Sequence, residues 1–306
     1  MTQIDSLDPV VASRAPEDDP SLRVSFEFFP PTDPEMELVL RASVARLSRL
    51  GPSFVSVTYG ADGSTRDRTR EVVDALRRDP LLAVAPHITS IGSSREQVLE
   101  LARSYWASGV RHVVALRGDP PDSTPSRVPS VETYRWGVEL VSALRATAPF
   151  EISVAAYPEV HPEATSAADD LDNLRRKVDA GATRAITQFF FDNDVFLRFR
   201  DACAAAGILA PIVPGILPIN RFSQIQRFAT RCGTRIPPAI ARRFEGLDED
   251  PETRRLLGAA VAIDQVEHLR RHGVTDFHFY TLNRADLTYA TCHALGLRGR
   301  PAVTAT

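Results

Sequence analysis

A single carboxylate, Glu27, interrupts the apolar run Val24-Ser25-Phe26-Glu27-Phe28-Phe29. Read as a strand, the period of two places Ser25, Glu27 and Phe29 on one face and Val24, Phe26 and Phe28 on the other. A carboxyl held away from water resists ionising because the charged form forfeits its hydration, and a carboxyl that keeps its proton is a general acid. A structural ion pair is the other use for such a group. Further polar residues close later apolar runs: Thr58-Tyr59, His87, Arg117-Gly118-Asp119, Tyr157 and Gln188. An imidazole, a guanidinium, a carboxylate, an amide and a phenol around one mouth would suit binding and proton transfer to an organic substrate.

A second pattern lies on the helical stretch from Ala167 to Ala180. Leu171, Leu174 and Val178 recur at intervals that face a core, while Asp169, Asp170, Asn173, Arg176 and Lys177 fall on another side. That polar stripe reads either as a solvated face or as a holder for a pyrophosphate. Lys177 is the sole lysine among 36 basic residues. Coding drift toward arginine explains the other 35; a compact ammonium with three rotatable donors is one reason to keep a lysine. The sequence holds no HExxH, no phosphate-loop lysine and no Gly-x-Ser-x-Gly turn, and no cysteine is placed as a nucleophile. Its histidines lack metal-ligand spacing, so no metal site is expected. Cys203, Cys232 and Cys292 are odd in number without CxxC spacing, which suggests core thiols.

The elements that would position these groups alternate along the chain. Strands are expected at Val24–Phe29, Phe54–Tyr59, Leu82–Ile88, His112–Leu116, Ile152–Ala156, Arg184–Phe190, Ile212–Ile216 and Phe277–Thr281. Helical segments include Pro34–Leu50, Asp67–Arg78, Arg95–Ser108, Ala167–Ala180 and Val195–Ala206. Eight strands with intervening helices predict an α/β fold, a single (β/α)8 TIM barrel over residues 23–297. A Gly-x-Gly-x-x-Gly turn is missing, which argues against a Rossmann domain. Pro237 and Pro251 signal extra helices inserted before the last strand. Residues 1–22 read as a disordered N-terminal arm and 298–306 as a C-terminal tail. A formal net charge of −3 argues against nucleic-acid binding by bulk positive charge. With no long apolar run and an acidic, proline-broken start, the expectation is a cytoplasmic protein that does not enter membranes.

In a parallel barrel the strands' C-terminal ends form the site, where the polar residues named above fall. The surrounding motifs then become specific. Ser25-Phe26-Glu27-Phe28-Phe29-Pro30-Pro31, Val55-Ser56-Val57-Thr58-Tyr59-Gly60-Ala61, Ala115-Leu116-Arg117-Gly118-Asp119 and Ala155-Ala156-Tyr157-Pro158-Glu159-Val160-His161-Pro162 closely resemble the bacterial-type 5,10-methylenetetrahydrofolate reductase family. Ile186-Thr187-Gln188-Phe189-Phe190-Phe191-Asp192, Pro214-Gly215-Ile216-Leu217-Pro218 and Phe277-His278-Phe279-Tyr280-Thr281-Leu282-Asn283-Arg284 continue the likeness over roughly residues 23 to 297.

The resemblance implies a barrel carrying FAD, with NADH or NADPH as co-substrate and NADH the expected one. The implied reaction reduces 5,10-methylenetetrahydrofolate to 5-methyltetrahydrofolate by ping-pong hydride transfer, supplying methyl groups for methionine synthesis, in a homo-oligomer. It makes Glu27 the acid that opens the methylene bridge and puts Asp119 near flavin and folate. It assigns Gln188, Gln224, Phe228 and Arg284, with Glu27 and Asp119, to substrate. Thr58, His87, Arg117, Gly118, Asp119, Tyr134, Tyr157, His161, Asp170, Asn173, Arg176 and Lys177 match positions that hold FAD. The match is weakest from Pro120 to Gly137, where Arg135 and Trp136 receive no role. Another flavin-dependent barrel dehydrogenase, or a folate- or flavin-binding protein without turnover, would use many of the same features.

Overall fold

The computed structural model describes residues 22–59, 66–118 and 133–299. Eight strands follow one another: β1 (Arg23–Phe28), β2 (Val55–Val57), β3 (Val84–Thr89), β4 (His112–Leu116), β5 (Glu151–Ala156), β6 (Arg184–Phe189), β7 (Ile212–Ile216) and β8 (Asp276–Tyr280). Each pairs in parallel with the next, and β8 returns to β1 in the register Ser25 to His278 and Glu27 to Tyr280, closing the barrel. Parallel neighbours need a crossover, and the helices provide it. These are α1 (Pro34–Leu47), α2 (Arg66–Leu76), α3 (Arg95–Ala107), α4 (Gly137–Thr147), α5 (Ala167–Asp179), α6 (Asn193–Ala205), α7 (Phe222–Cys232), α8 (Pro238–Arg243), α9 (Pro251–Arg271) and α10 (Ala285–Ala294). All but Leu22 of the expected N-terminal arm and all but two residues of the expected C-terminal tail lie outside the described residues.

Local chemistry fixes where helices begin. Asp33 accepts a hydrogen bond from the Met36 N–H at 2.8 Å with Pro34 as the first helical residue. Ser94 and Gln97 form a reciprocal capping box on α3, and Asp250 caps α9 just before Pro251. Each such cap satisfies N–H groups that the helix itself leaves unpaired.

The strand faces divide as the period of two demands. Val24, Phe26 and Phe28 are 3%, 0% and 1% exposed and join the main core between sheet and helices. The opposite face of each strand points into the lumen, which is unusually polar. Ser25, Ser56, His87, His112, Ser153 and His278 are all buried. A small apolar plug of Phe54, Ala85, Val114 and Ile186, with Leu116 against it, accompanies them. Layers of Val, Ile and Leu fill an ordinary barrel of this kind; small and polar residues here leave room for chemistry at the upper end.

Three helices, α7 to α9, stand between β7 and β8 and organise a second core of Phe189, Phe191, Leu217, Ile219, Ile225, Ala229, Phe244 and Val261. Arg254, 8% exposed, ties this insertion together by donating to the carbonyls of Asn220, Leu247 and Asp248. α9 approaches so closely that a Cβ on Gly258 would stand 2.0 Å from the Ile219 carbonyl oxygen. Among the described residues no helix is long and apolar enough to cross a membrane.

Candidate active site

Glu27 enters the lumen near the end of β1, its side chain 22% exposed. One carboxylate oxygen lies 3.5 Å from Nε2 of His87 on β3 and 3.8 Å from Nε2 of His278 on β8. His278 shares a 2.8 Å hydrogen bond through Nδ1 with the Ser25 hydroxyl, so serine, imidazole and carboxylate form a line across two strands. Burial pulls the His87 imidazole down to about 4, outweighing the opposite pull of Glu27, while His278 lowers it further. His87 is therefore neutral at neutral pH and no ion pair forms with Glu27. Its Nε2 has no hydrogen-bond partner among the described residues, a buried polar atom left ready for a ligand.

Tyr280 completes this group. Its hydroxyl donates to the Thr187 carbonyl at 2.8 Å, and burial, followed by the charges of Glu27 and Tyr157, raises its phenol well above the ordinary value. The ring fits because position 215 is glycine: a Cβ there would meet Thr187 O at 2.2 Å and Tyr280 Cε2 at 2.5 Å. Beside it, the pairing of β6 with β7 slips between Ile186 and Phe189. Gln188 sits in that irregularity with its amide oxygen accepting from the Phe189 N–H at 3.0 Å. A bulge of this kind re-aims a side chain next to a site.

The end of β1 is clamped from β8. Asn283 accepts from the Phe29 N–H at 3.0 Å and donates to its carbonyl at 2.8 Å. Leu282 and Asn283 have φ of 49° and 56°, a left-handed pair that brings Arg284 to the exposed start of α10. Val160, in the loop after β5, has φ of 71°. That is a genuine outlier for a β-branched residue, and strain of this sort gathers where function fixes a loop.

Next to this group a cavity of about 440 Å³ opens between the ends of β4 and β5 and the helices α4 and α5. Arg117, Gly118, Tyr157, His161, Asp170, Asn173, Arg176 and Lys177 all line it. Lys177 donates to the Ala155 carbonyl at 2.7 Å. Burial lowers its ammonium to about 8 against the opposing pull of Asp170. Asp170 accepts from the His161 N–H at 2.8 Å, and the imidazole of His161 packs edge-on against Tyr157 at 4.5 Å between centroids. Arg117 is paired with Glu163 at 2.6 Å. The N-cap of α4 makes no side-chain hydrogen bond, and its first residues also line the cavity. Two arginines, a lysine and a helix N-terminus suit a pyrophosphate, so these residues fit a flavin dinucleotide.

Thr58 follows β2, its N–H bonded to Phe28 O at 2.9 Å and its carbonyl to the Thr69 hydroxyl at 3.0 Å. Gln224 and Phe228 lie on α7, with Phe228 against the second core. Thr58 and His87 do not line the cavity, nor does Tyr134. Tyr134 is 8% exposed and lies beneath the Arg95 guanidinium, 5.1 Å from its ring centroid. Asp119 lies outside the described residues. Sequence reasoning gave no separate role to Ser25, His278, Tyr280 or Glu163. The alternation Phe277-His278-Phe279-Tyr280 carried a signal for two of them, but only the pairing of β8 with β1 brings them to Glu27.

The model of a family described as methylenetetrahydrofolate reductase matches residues 13–296. The chain is 55% identical over 277 residues to the 5,10-methylenetetrahydrofolate reductase of Pectobacterium carotovorum subsp. carotovorum, covering 90% of this chain and 91% of that one. It is 54% identical over 277 residues to the enzyme of the same name from Escherichia coli (strain K12), covering 90% and 92%. A solved structure of an uncharacterized Clostridium thermocellum protein that binds 5-methyl-5,6,7,8-tetrahydrofolic acid superposes with a TM-score of 0.62 at 13% identity, covering 90% of this chain and 95% of that one. At that identity the likeness concerns the fold.

Proposed function

Because this chain belongs to the methylenetetrahydrofolate reductase family, we propose that it reduces 5,10-methylenetetrahydrofolate to 5-methyltetrahydrofolate with FAD as cofactor and NADH or NADPH as electron source. The observation that carries this reading is a half-buried carboxyl beside a cation-lined cavity at one barrel mouth. Bound FAD supplies a two-electron carrier, so that nicotinamide and folate take turns in a ping-pong cycle. Glu27 donates the proton that frees the folate nitrogen from its methylene bridge and exposes an electrophilic carbon for hydride. His87 and His278 flank that carboxyl at 3.5 and 3.8 Å, and a neutral His87 adds no positive charge against the cationic carbon. Gln188 reads the pterin edge, Phe228 offers an apolar face, and Gln224 and Arg284 contact the rest of the folate. Asp119 opposes the developing positive charge. Arg117, Arg176 and Lys177 meet the pyrophosphate, with Asp170 and Asn173 orienting the polar remainder. The methyl product suits methionine synthesis as its consumer.

The test is direct. Purified protein should bind FAD with visible flavin absorption and, without oxygen, oxidise NADH beyond one equivalent per flavin only when methylenetetrahydrofolate is present. A protein that binds no FAD, or a flavoprotein that ignores methylenetetrahydrofolate, would overturn the reading.

A further inference from the structure

The chain has two tryptophans, and they are used differently. Trp106 packs edge-on against Phe150 at 5.1 Å between centroids and carries the Arg111 guanidinium 4.0 Å from its ring, an ordinary structural role. Trp136 is 58% exposed and lines the cation-bearing cavity. It also occupies the N-cap of α4 without making a cap hydrogen bond. Ser, Thr, Asp or Asn at that position would satisfy a helix N–H; substituting an uncapping residue typically costs about 1 kcal/mol. An indole there needs another reason.

Its neighbours supply one. The next residue, Gly137, lies so near the Lys177 stem that a Cβ would stand 3.4 Å from Lys177 Cδ. Trp136 is thus one residue from the cations assigned to the pyrophosphate. Glu27, His87, Gln188 and Tyr280 do not line this cavity. The flavin ring must reach the Glu27 end to exchange hydride with folate, so the other end of the dinucleotide falls here. Of the other aromatic side chains at this mouth, Tyr157 also lines the cavity but is packed edge-on against His161 at 4.5 Å, and Tyr134 is buried beneath Arg95. An indole is a broad, stiff surface that stacks on a purine at little entropic cost.

We propose that Trp136 is the stacking platform for the adenine ring of the flavin dinucleotide, an inference that rests on the FAD reading above. The experiment uses apoprotein carrying W106F, which leaves Trp136 as the sole tryptophan. Titration with FAD and with ADP should quench its emission in both cases. Adding Trp136→Ala should raise the Kd for FAD and for ADP about tenfold each, while Trp136→Phe stays within about threefold, as expected for loss and retention of one base stack. FMN affinity should not change in either variant. Circular dichroism and melting temperature of the alanine variant confirm that it is folded. If FAD binds the parent but W136A leaves its Kd unchanged, or weakens FMN and spares ADP, the platform assignment is overturned and the cofactor reading stands. If the parent binds no FAD, both fall.

Discussion

Replacing Lys177 by methionine should make the empty protein more stable and the cofactor bind more weakly. Among the described residues the Lys177 ammonium donates one hydrogen bond, to the Ala155 carbonyl at 2.7 Å. Burial lowers it from 10.5 to about 8. At about 1.36 kcal/mol per pH unit, that gap is a destabilisation of about 3 kcal/mol at neutral pH. The sign follows from proton counting: between about 8 and 10.5 the unfolded chain binds the extra proton, so stability rises with pH across that window and the full cost applies below it. Methionine keeps most of the stem's packing and forfeits a hydrogen bond worth about 1 kcal/mol. The net expectation is a gain of about 2 kcal/mol, or roughly 3 °C in Tm for a protein of this size. A charge-assisted contact to phosphate contributes about 1.5–3 kcal/mol, so the FAD Kd should rise roughly 10- to 100-fold. Wild-type affinity should also decline above pH 8, where the free amine becomes neutral, and the variant should lose that dependence. Thermal melts of apoprotein and flavin-fluorescence titrations read both effects. A lower Tm with an unchanged Kd would show that Lys177 is structural and refute the reasoning.

Gly215→Ala should disrupt folding or cost several kcal/mol, because the added methyl meets a strand carbonyl at 2.2 Å that cannot yield; a denaturation midpoint unchanged from wild type would contradict the packing. His87 and His112 are buried neutral at about 4 and about 3. The unfolded chain takes up protons that they refuse as pH falls from about 6.5 to about 4, so stability declines across that window. His112→Gln should flatten the dependence of Tm on pH there; a variant as acid-sensitive as the parent would show that the loss comes from elsewhere.

The barrel was legible because its strands are short apolar runs closed by polar residues, and each of the eight appears within two residues of its expected bounds. The α5 stripe was legible for the same reason: Leu174 is buried and Leu171 and Val178 pack on the core, which turns Lys177 and Asn173 to the cavity. What local pattern could not supply is the company Glu27 keeps. His278 and Ser25 are 253 positions apart, and their meeting depends on closure of the sheet. The space for Tyr280 depends likewise on a missing side chain at Gly215 across a third strand. Trp136 was hidden differently, in a stretch where motif spacing gave no guide. Tyr134, which the resemblance placed on the cofactor, lies beneath Arg95 rather than in the cavity.

The central claim is that Glu27 is the proton donor to folate and no part of electron delivery from nicotinamide. Glu27→Gln preserves size and the approach to His87 and His278 while removing the acid. In stopped-flow measurements on FAD-loaded protein, flavin bleaching by NADH should proceed within about threefold of wild type. Reoxidation by methylenetetrahydrofolate should fall by about 10²-fold or more, the usual weight of a positioned general acid. Equal slowing of both half-reactions with FAD retained, or full reoxidation in the glutamine variant, would contradict the account.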